Sequence, residues 1–136
     1  MHPASKTHPM EIRDAVEDDA DALAALAGGP RDVLRNVIHD RTVRVAEADD
    51  AVVAFVSFDA KPGTVYVTQI SGEPDAVARL LEEPIRFARG EDMQVELLVE
   101  EDDEAILDVV TETGFDRVGR GPRFDDVETV RYRFVP

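Results

Sequence analysis

The sequence predicts a single mixed α+β domain, built from a mostly antiparallel sheet with helices on both of its faces. Segments with strand-like alternation and segments with helical periodicity follow one another in the order β-α-α-β-β-β-α-β-α-β-β. The strand-helix-strand stretch over residues 64–100 predicts one parallel pair, because a crossover helix joins parallel neighbours. The length of 136 residues, without a repeat or a linker-like stretch, fits one domain.

The first part of the chain is interpreted as a tail, a short strand and two helices. Residues 1–9 hold two prolines and two histidines without periodicity, so we expect a disordered N-terminal tail before a domain at 10–136. A strand at 10–16 leads into a helix that acidic residues open and a glycine pair ends. Pro30 begins a second helix, whose apolar residues recur at helical spacing.

The rest of the chain is predicted to supply most of the sheet. Its expected elements are strands at 42–48, 51–59, 64–70 and 93–100, helices at 74–88 and 102–115, and a terminal hairpin formed by RVGRG and VETVRYRFV. Asp49-Asp50 is expected to turn the chain between the first two of these strands. Pro84 lies inside the helix at 74–88, where its missing N–H should produce a kink. The terminal hairpin has one apolar face, which predicts either a part of the core or a homodimer surface.

The net charge is the strongest compositional signal. Thirty acidic residues against 15 basic ones give −15, which argues against binding to nucleic acid or to an anionic membrane, because phosphates require a basic patch. Lysine occurs only at Lys6 and Lys61. An acidic, lysine-poor composition resembles that of cytosolic proteins from salt-loving archaea, in which molar salt screens the self-repulsion of the surface. The alternative is an ordinary acidic protein.

Several types of site and location are excluded by what the sequence lacks. It has no cysteine, so disulfides and thiolate metal sites are ruled out. The histidines do not cluster, and the acidic run at 100–104 lacks the ligand pattern of a calcium loop, so we expect no metal. No apolar run is long enough to span a bilayer, and the first residues lack a signal segment. We therefore expect a cytoplasmic protein.

Three strings in the chain resemble a known family. They are IRDAVEDDADALAALA, VRVAEADDAVVAFVSF and VEEDDEAILDVVTETGF, which are similar to the opening strand and helix, the second and third strands, and the late strand-helix segment of the GNAT superfamily of acyl-CoA N-acyltransferases. The resemblance covers residues 10 to about 135. It implies a GNAT-like fold and an N-acetyltransferase that moves an acetyl group from acetyl-CoA to a small-molecule or peptide amine by direct attack. A cationic amine would suit the acidic surface.

The resemblance also implies where acetyl-CoA would bind. In this family the sheet splays open beside the fourth strand, and the pantetheine arm lies in the gap. The pyrophosphate rests on the free N–H groups that begin the next helix, where the helix dipole favours negative charge. The corresponding cofactor-binding positions are Val67, Gln69, Gly72, Glu73, Asp75, Val77 and Asp103.

Two acids depart from the family's pattern at the start of that helix. Glu73 and Asp75 stand where the family places small residues. Carboxylates stabilise a helix N-terminus for the same reason that a phosphate does, so they compete with the phosphate for that field. Alternatively, both are helix-opening residues without a ligand role. A shifted register, or Arg79 reaching back to the phosphates, would restore binding.

The catalytic residues stay unassigned at this point. The tyrosine that often protonates the leaving thiolate in this family corresponds to Val110, which has no proton to donate. Tyr66 and Glu47 are the candidates for proton transfer, and Asp59 is a further possible base. The alternatives are a core aromatic for Tyr66 and a surface acid for Glu47 and for Asp59. A second function therefore stays open, that of a GNAT-like module that has lost catalysis and binds a ligand or a protein partner.

Overall fold

A computed structural model describes residues 10–123 and 126–136, so the predicted tail at 1–9 lies outside the described residues. The strands are β1 (Glu11–Asp14), β2 (Thr42–Ala48), β3 (Ala51–Lys61), β4 (Thr64–Gly72), β5 (Gln94–Glu100), β6 (Asp116–Arg120) and β7 (Thr129–Phe134). The helices are α1 (Ala20–Ala27), which follows a 3-10 turn at Glu17–Asp19, α2 (Arg31–Asp40), α3 (Pro74–Leu80), α4 (Glu82–Glu91) and α5 (Glu104–Thr113). This is the predicted order, with one helix divided.

The described strands form one seven-stranded sheet in the order β1-β2-β3-β4-β5-β7-β6. Neighbouring strands are antiparallel except β4 and β5, which confirms the mixed α+β class and the predicted parallel pair. Asp49 and Asp50 both have positive φ, 52° and 63°. They form the predicted turn between β2 and β3, because two left-handed residues match the twist of a hairpin.

The two faces of the sheet carry separate hydrophobic cores, because successive strand residues point to opposite faces. On one face, α1 and α2 cover β2 and β3. That core consists of Leu23, Leu34, Val43, Val45 and Phe55. On the other face, α3, α4 and α5 cover the centre of the sheet with a larger core. Val130 and Tyr132 of the terminal hairpin are buried in this second core, so the hairpin uses its apolar face within the domain.

The prediction of one helix at 74–88 with a kink at Pro84 is wrong in its details. The chain breaks at Leu81 into α3 and α4, and Pro84 lies in the first turn of α4. A proline ring inside a continuous helix would clash with the carbonyl one turn earlier, whereas a first-turn proline lacks only an N–H that has no partner in the helix. The break therefore precedes the proline instead of falling on it.

Candidate functional site

The sheet opens between its two parallel strands, as the family resemblance implies. Pairing between β4 and β5 ends at Val67 opposite Leu97, yet β4 continues to Gly72 and β5 to Glu100. Beyond Val67 each of the two strands keeps only its outer neighbour, β3 or β7. The facing edges of β4 and β5 thus carry backbone N–H and C=O groups that are not paired across the gap.

A β-bulge fixes the point where the strands diverge. Val67 pairs with Phe58 and Gln69 pairs with Ser57, so Thr68 is the extra residue on β4. The Thr68 hydroxyl lies 2.6 Å from Ser57 Oγ and donates to the Ser57 carbonyl oxygen at 3.2 Å. Ser57 is fully buried, so its hydrogen bonds hold the bulge in place. Bulges bend a strand and redirect its side chains, and they often occur beside active sites.

Two cavities meet at this bulge. The gap cavity, of about 490 Å³, lies between the diverging ends of β4 and β5 and is lined by residues 68–71 and 98–100, with Asp103 and Ile106 of the α5 region. The sheet-face cavity, of about 540 Å³, lies over β4, β5 and β7 and includes Tyr66, Glu96 and Arg131. Thr68 and Leu98 line both cavities, so the two cavities adjoin at these residues, and the pair of cavities is called the trough below.

The structure brings three of the predicted cofactor positions to this trough. Gln69 lines the gap cavity, and its Oε1 atom is buried without a hydrogen-bond partner among the described residues. Asp103 also lines the gap cavity, but its carboxylate accepts the Ile106 N–H at 3.3 Å and so caps α5. Val67 lines the sheet-face cavity. Gln69 is therefore the one of these three residues with a buried, unpartnered acceptor, which could accept from a ligand amide.

The start of α3 offers few amides to an anion. The Glu73 N–H donates to the Val53 carbonyl at 3.1 Å, Pro74 has no N–H, and the Val77 N–H donates to the Glu73 carbonyl at 2.9 Å. Within the first turn this leaves the N–H groups of Asp75 and Ala76. The side chains of Glu73 and Asp75 are exposed, and that of Glu73 makes no capping hydrogen bond. These carboxylates are therefore not folded over the amides, but their charge remains beside them.

The other predicted positions at this junction have structural roles. Gly72 has φ +125° and approaches β3 so closely that an added Cβ would lie 2.3 Å from the Val53 carbonyl oxygen. Val77 is fully buried in the core. The Arg79 guanidinium donates to the Met10 carbonyl at 3.4 Å, so it is directed towards the beginning of β1. The gap thus fits a thioester arm, whereas the helix start fits a diphosphate poorly.

The structure separates the two proton-transfer candidates. Tyr66 is 40% exposed and lines the sheet-face cavity, so the alternative of a core aromatic is wrong. Its neighbours Val65 and Val67 point into the core, and strand alternation places Tyr66 on the opposite face. Glu47 lies on β2 and lines neither cavity. Val110 is fully buried in α5 and lines neither cavity.

Glu47 belongs instead to an ion cluster at the edge of the sheet. Its carboxylate accepts from Arg13 Nε at 3.3 Å, and Arg13 also donates two hydrogen bonds to Asp19, at 2.8 Å and 3.0 Å. Asp19 is nearly buried and accepts the Val16 N–H as well. Hydrogen bonds from Arg13 and then from Val16 lower the pKa of Asp19, while burial opposes them. This cluster stabilises the fold and does not face the trough.

Apart from Asp59, sequence reasoning missed the charged residues of the sheet-face cavity. Arg41, Asp59, Lys61, Glu96 and Arg131 line it, and they come from four separate segments of the chain. The sequence did predict one part of this arrangement, because the alternation of β7 places its arginines on the face opposite its core residues. Their meeting with the other charges depends on the strand order, which brings β7 beside β5.

Two further types of site find no support in the described parts of the chain. Across residues 10–123 and 126–136, no three His, Cys, Asp or Glu side chains are positioned to hold a metal ion. Within the same residues, no helix is both long enough and apolar enough to cross a membrane.

Comparison with known proteins identifies the fold. No protein-family model and no curated protein matches the sequence. Among solved structures, Ard1 from Thermoplasma volcanium has a TM-score of 0.81 at 13% identity, over 93% of this chain and 97% of its own. A GNAT-family acetyltransferase from Bacillus cereus ATCC 10987 has 0.75 at 16% identity, over 93% and 97%. PaiA N-acetyltransferase from Thermoplasma acidophilum, in complex with coenzyme A, has 0.72 at 14% identity, over 93% and 99%. The chain therefore has the fold of the GNAT acetyltransferases.

Proposed function

We propose that the protein is an N-acetyltransferase of the GNAT superfamily, which moves an acetyl group from acetyl-CoA to an amine. The observation that carries this proposal is the divergence of β4 and β5 after Val67, with two cavities that meet at Thr68 and Leu98. A trough of two adjoining cavities lets a thioester and an amine approach each other, one from each cavity. Structures of the same fold include one in complex with coenzyme A, which agrees with a coenzyme A thioester as the acyl donor.

The chain's own residues would bind and position the two reactants. Unpaired backbone groups on β4 beyond Val67 can bind the amides of an extended arm, as a neighbouring strand would, and Gln69 Oε1 adds a free acceptor. Acetyl-CoA supplies the activated acyl group. In direct attack a C–N bond forms, the C–S bond breaks, the amine loses a proton and the thiolate gains one. Tyr66 is the phenol that lines the trough and can donate that proton.

Most of the rate would then come from positioning. The bulge at Thr68 is held by a buried serine, and β4 itself lies in the centre of the sheet. A rigid site of this kind removes translational and rotational freedom before the reaction, an effect that can supply about 7–11 kcal/mol of a barrier. No covalent enzyme intermediate is required.

A second candidate function is a GNAT-like module that binds a ligand or a partner without catalysis. The observation that favours it is the start of α3, which has few free N–H groups for a diphosphate. Pro74 has no N–H, the Glu73 N–H donates to the Val53 carbonyl, and two carboxylates lie nearby. Val110, which replaces the usual tyrosine, agrees with this alternative.

Thermal unfolding with and without acetyl-CoA, in molar KCl, distinguishes the two functions. A ligand at 100 times its Kd adds about 2.7 kcal/mol to the free energy of unfolding, and for a domain of this size that raises Tm by roughly 8–10 °C. The acetyltransferase proposal expects this rise, together with release of the coenzyme A thiol when a mixture of amines is added. A folded protein whose Tm stays constant at millimolar acetyl-CoA would contradict it.

A matched pair of variants tests the place of binding. Gln69→Leu removes the free acceptor in the gap and should weaken acetyl-CoA binding by about fivefold, the value of one hydrogen bond of about 1 kcal/mol. Gln94→Leu removes a similar side chain, which donates to Thr64 Oγ1 at 3.1 Å and lies outside both cavities. That control should lose a little stability and keep the full ligand-induced rise in Tm.

A further inference from the structure

The sheet-face cavity differs in charge from the rest of the protein. Acids outnumber bases two to one in the whole chain, 30 against 15. In the cavity the bases outnumber the acids three to two, because Arg41, Lys61 and Arg131 line it together with Asp59 and Glu96. An excess of cations in one concave site on a strongly acidic protein raises the local affinity for an anion.

Each of the two carboxylates of the cavity is paired with two cations. On one wall Asp59 Oδ2 lies 3.5 Å from Arg41 Nη1 and 3.5 Å from Lys61 Nζ. On the other wall Glu96 lies 3.1 Å from Arg133 Nη2 and 3.9 Å from Arg131 Nε. Each carboxylate is therefore shared by two cations. Arg133 does not line the cavity itself, so the excess among the lining residues is one cation, on the wall of Asp59.

Among the three cavity cations, Arg131 has the longest distance to a carboxylate. Its Nε is buried and has no hydrogen-bond partner among the described residues, and its nearest carboxylate distance is 3.9 Å, beyond hydrogen-bond range. A buried, unsatisfied donor of this kind is costly unless something accepts from it. Arg131 also lines the cavity, so an anion placed there could provide an acceptor.

Tyr66 lies between the two walls. The register places it opposite Asp59 on β3 and opposite Glu96 on β5, on one face of the sheet. Tyr66 is 40% exposed and lines the cavity. Its hydroxyl carries one proton, which the proposed transfer assigns to the leaving thiolate, so the cations are the donors that hold the anion. The cavity thus combines three cationic donors and one phenol, directly beside the bulge where the two cavities meet.

We infer that the sheet-face cavity binds the carboxylate of the amine acceptor, so that the substrates are amines that carry a carboxylate, such as amino acids. The inference rests on the proposed acetyltransferase function and specifies the substrate class of the same site. Arginine and lysine side chains hold carboxylates by charge-assisted hydrogen bonds, and they repel the cationic amines that the acidic surface had suggested. The carboxylate anchored in the cavity would leave the amine free to reach the thioester at Thr68 and Leu98.

A panel of matched amines tests this substrate class. We would compare L-amino acids with their amides and with the corresponding decarboxylated amines, and include O-phosphoethanolamine. Thermal shift without acetyl-CoA measures binding, and coenzyme A thiol release measures turnover. The expected result is an advantage of about tenfold or more for the free carboxylates over the amides, in Kd or in kcat/KM.

Three variants assign the preference to the cavity. Arg131→Gln and Lys61→Gln should each lower kcat/KM for the free carboxylates much more than for the amides, and so remove most of the carboxylate advantage. Lys61 is largely exposed, with 65% of its side chain accessible, so its variant keeps the test valid if Arg131→Gln unfolds. Arg89→Gln is the control, because it removes the same charge from α4, outside both cavities.

The two proposals fail in different ways. Equal binding and turnover of acids and amides, an advantage that survives both cavity variants, or a preference for O-phosphoethanolamine over every amino acid would overturn the carboxylate inference. Transfer to amides would in that case still support the acetyltransferase. Conversely, Arg131-dependent binding of amino acids without acetyl transfer to any amine would support the anion site and contradict the acetyltransferase proposal.

Discussion

Gly72 offers the sharpest test of how this fold holds its candidate site. It is the last residue of β4, it pairs with Ala54 of β3, and α3 begins two residues later. Its φ is +125°, and an alanine Cβ at this position would lie 2.3 Å from the Val53 carbonyl oxygen and 2.4 Å from Ala54 Cα. Both contacts are with backbone, which cannot rotate away as a flexible side chain could.

The destabilisation expected for Gly72→Ala has two sources, the positive φ and the close backbone contacts of the added Cβ. A residue with a side chain held in a sparsely populated backbone region costs about 1–3 kcal/mol. Relief of the contacts requires β3 and β4 to move apart, which raises our expectation to about 3–5 kcal/mol, at the upper end of single substitutions. The free energy of unfolding of a domain is typically about 5–15 kcal/mol, so this variant should lose a large part of its stability.

Two other glycines separate the contributions. Gly63 also has positive φ, +83°, but an added Cβ there meets no atom within 4 Å, so Gly63→Ala should cost only the backbone term, about 1–2 kcal/mol. Gly90 lies in α4 with open space around it, so Gly90→Ala should stabilise by about 0.5–1 kcal/mol. Urea unfolding curves with a common m-value give all three differences. If Gly72→Ala loses no more stability than Gly63→Ala, the close packing of β4 on β3 is not what fixes the start of α3.

The remaining predictions concern single acids. Glu73→Gln should tighten acetyl-CoA binding several-fold at low salt and less in molar KCl, since a like charge near the diphosphate is removed; equal Kd values for this variant and for its control Glu91→Gln, measured by calorimetry, would contradict the effect. Asp19→Asn should cost about 1–2 kcal/mol at pH 7, because Arg13 then lacks its charged partner. The lowered pKa of Asp19 means that its contribution is present above the unfolded-state pKa and is lost as pH falls through the folded-state pKa. Unfolding curves for parent and variant should therefore converge below about pH 4, and a constant difference would show that the charge is not involved.

The elements of the fold were predictable because each depends on local sequence. Period-2 alternation marks the buried strands, and the Asp49-Asp50 turn has residues that tolerate positive φ. The division of the helix at Leu81 was the exception, since it reflects where a proline can be placed within a helix that packs on the sheet. The opening between β4 and β5 followed from the family resemblance and not from periodicity, because neither strand shows in its own sequence where pairing ends.

Tyr66 shows why single-strand reasoning could not settle the site. A tyrosine between two valines is compatible with either face of the sheet, and its exposure depends on which helices cover that face. The structure places Tyr66 on the face of the sheet that α1 and α2 pack against, yet this residue lies beyond their cover and stays exposed. No local pattern around Tyr66 encodes the extent of that cover.

The distribution of charge gives the site a different character from the surface around it. At the net charge of −15, the protein repels both a diphosphate donor and a carboxylate acceptor at long range, so electrostatic steering cannot bring either to the trough. In molar salt the Debye length is about 3 Å, so this long-range repulsion is largely screened. In the proposed carboxylate site, hydrogen bonds from Arg131, Lys61 and Arg41 would act at contact distance, where screening inside a cavity is much weaker. An acidic surface with a basic cavity is therefore compatible with anionic ligands provided that recognition acts at contact distance, as the arrangement of these three cations allows.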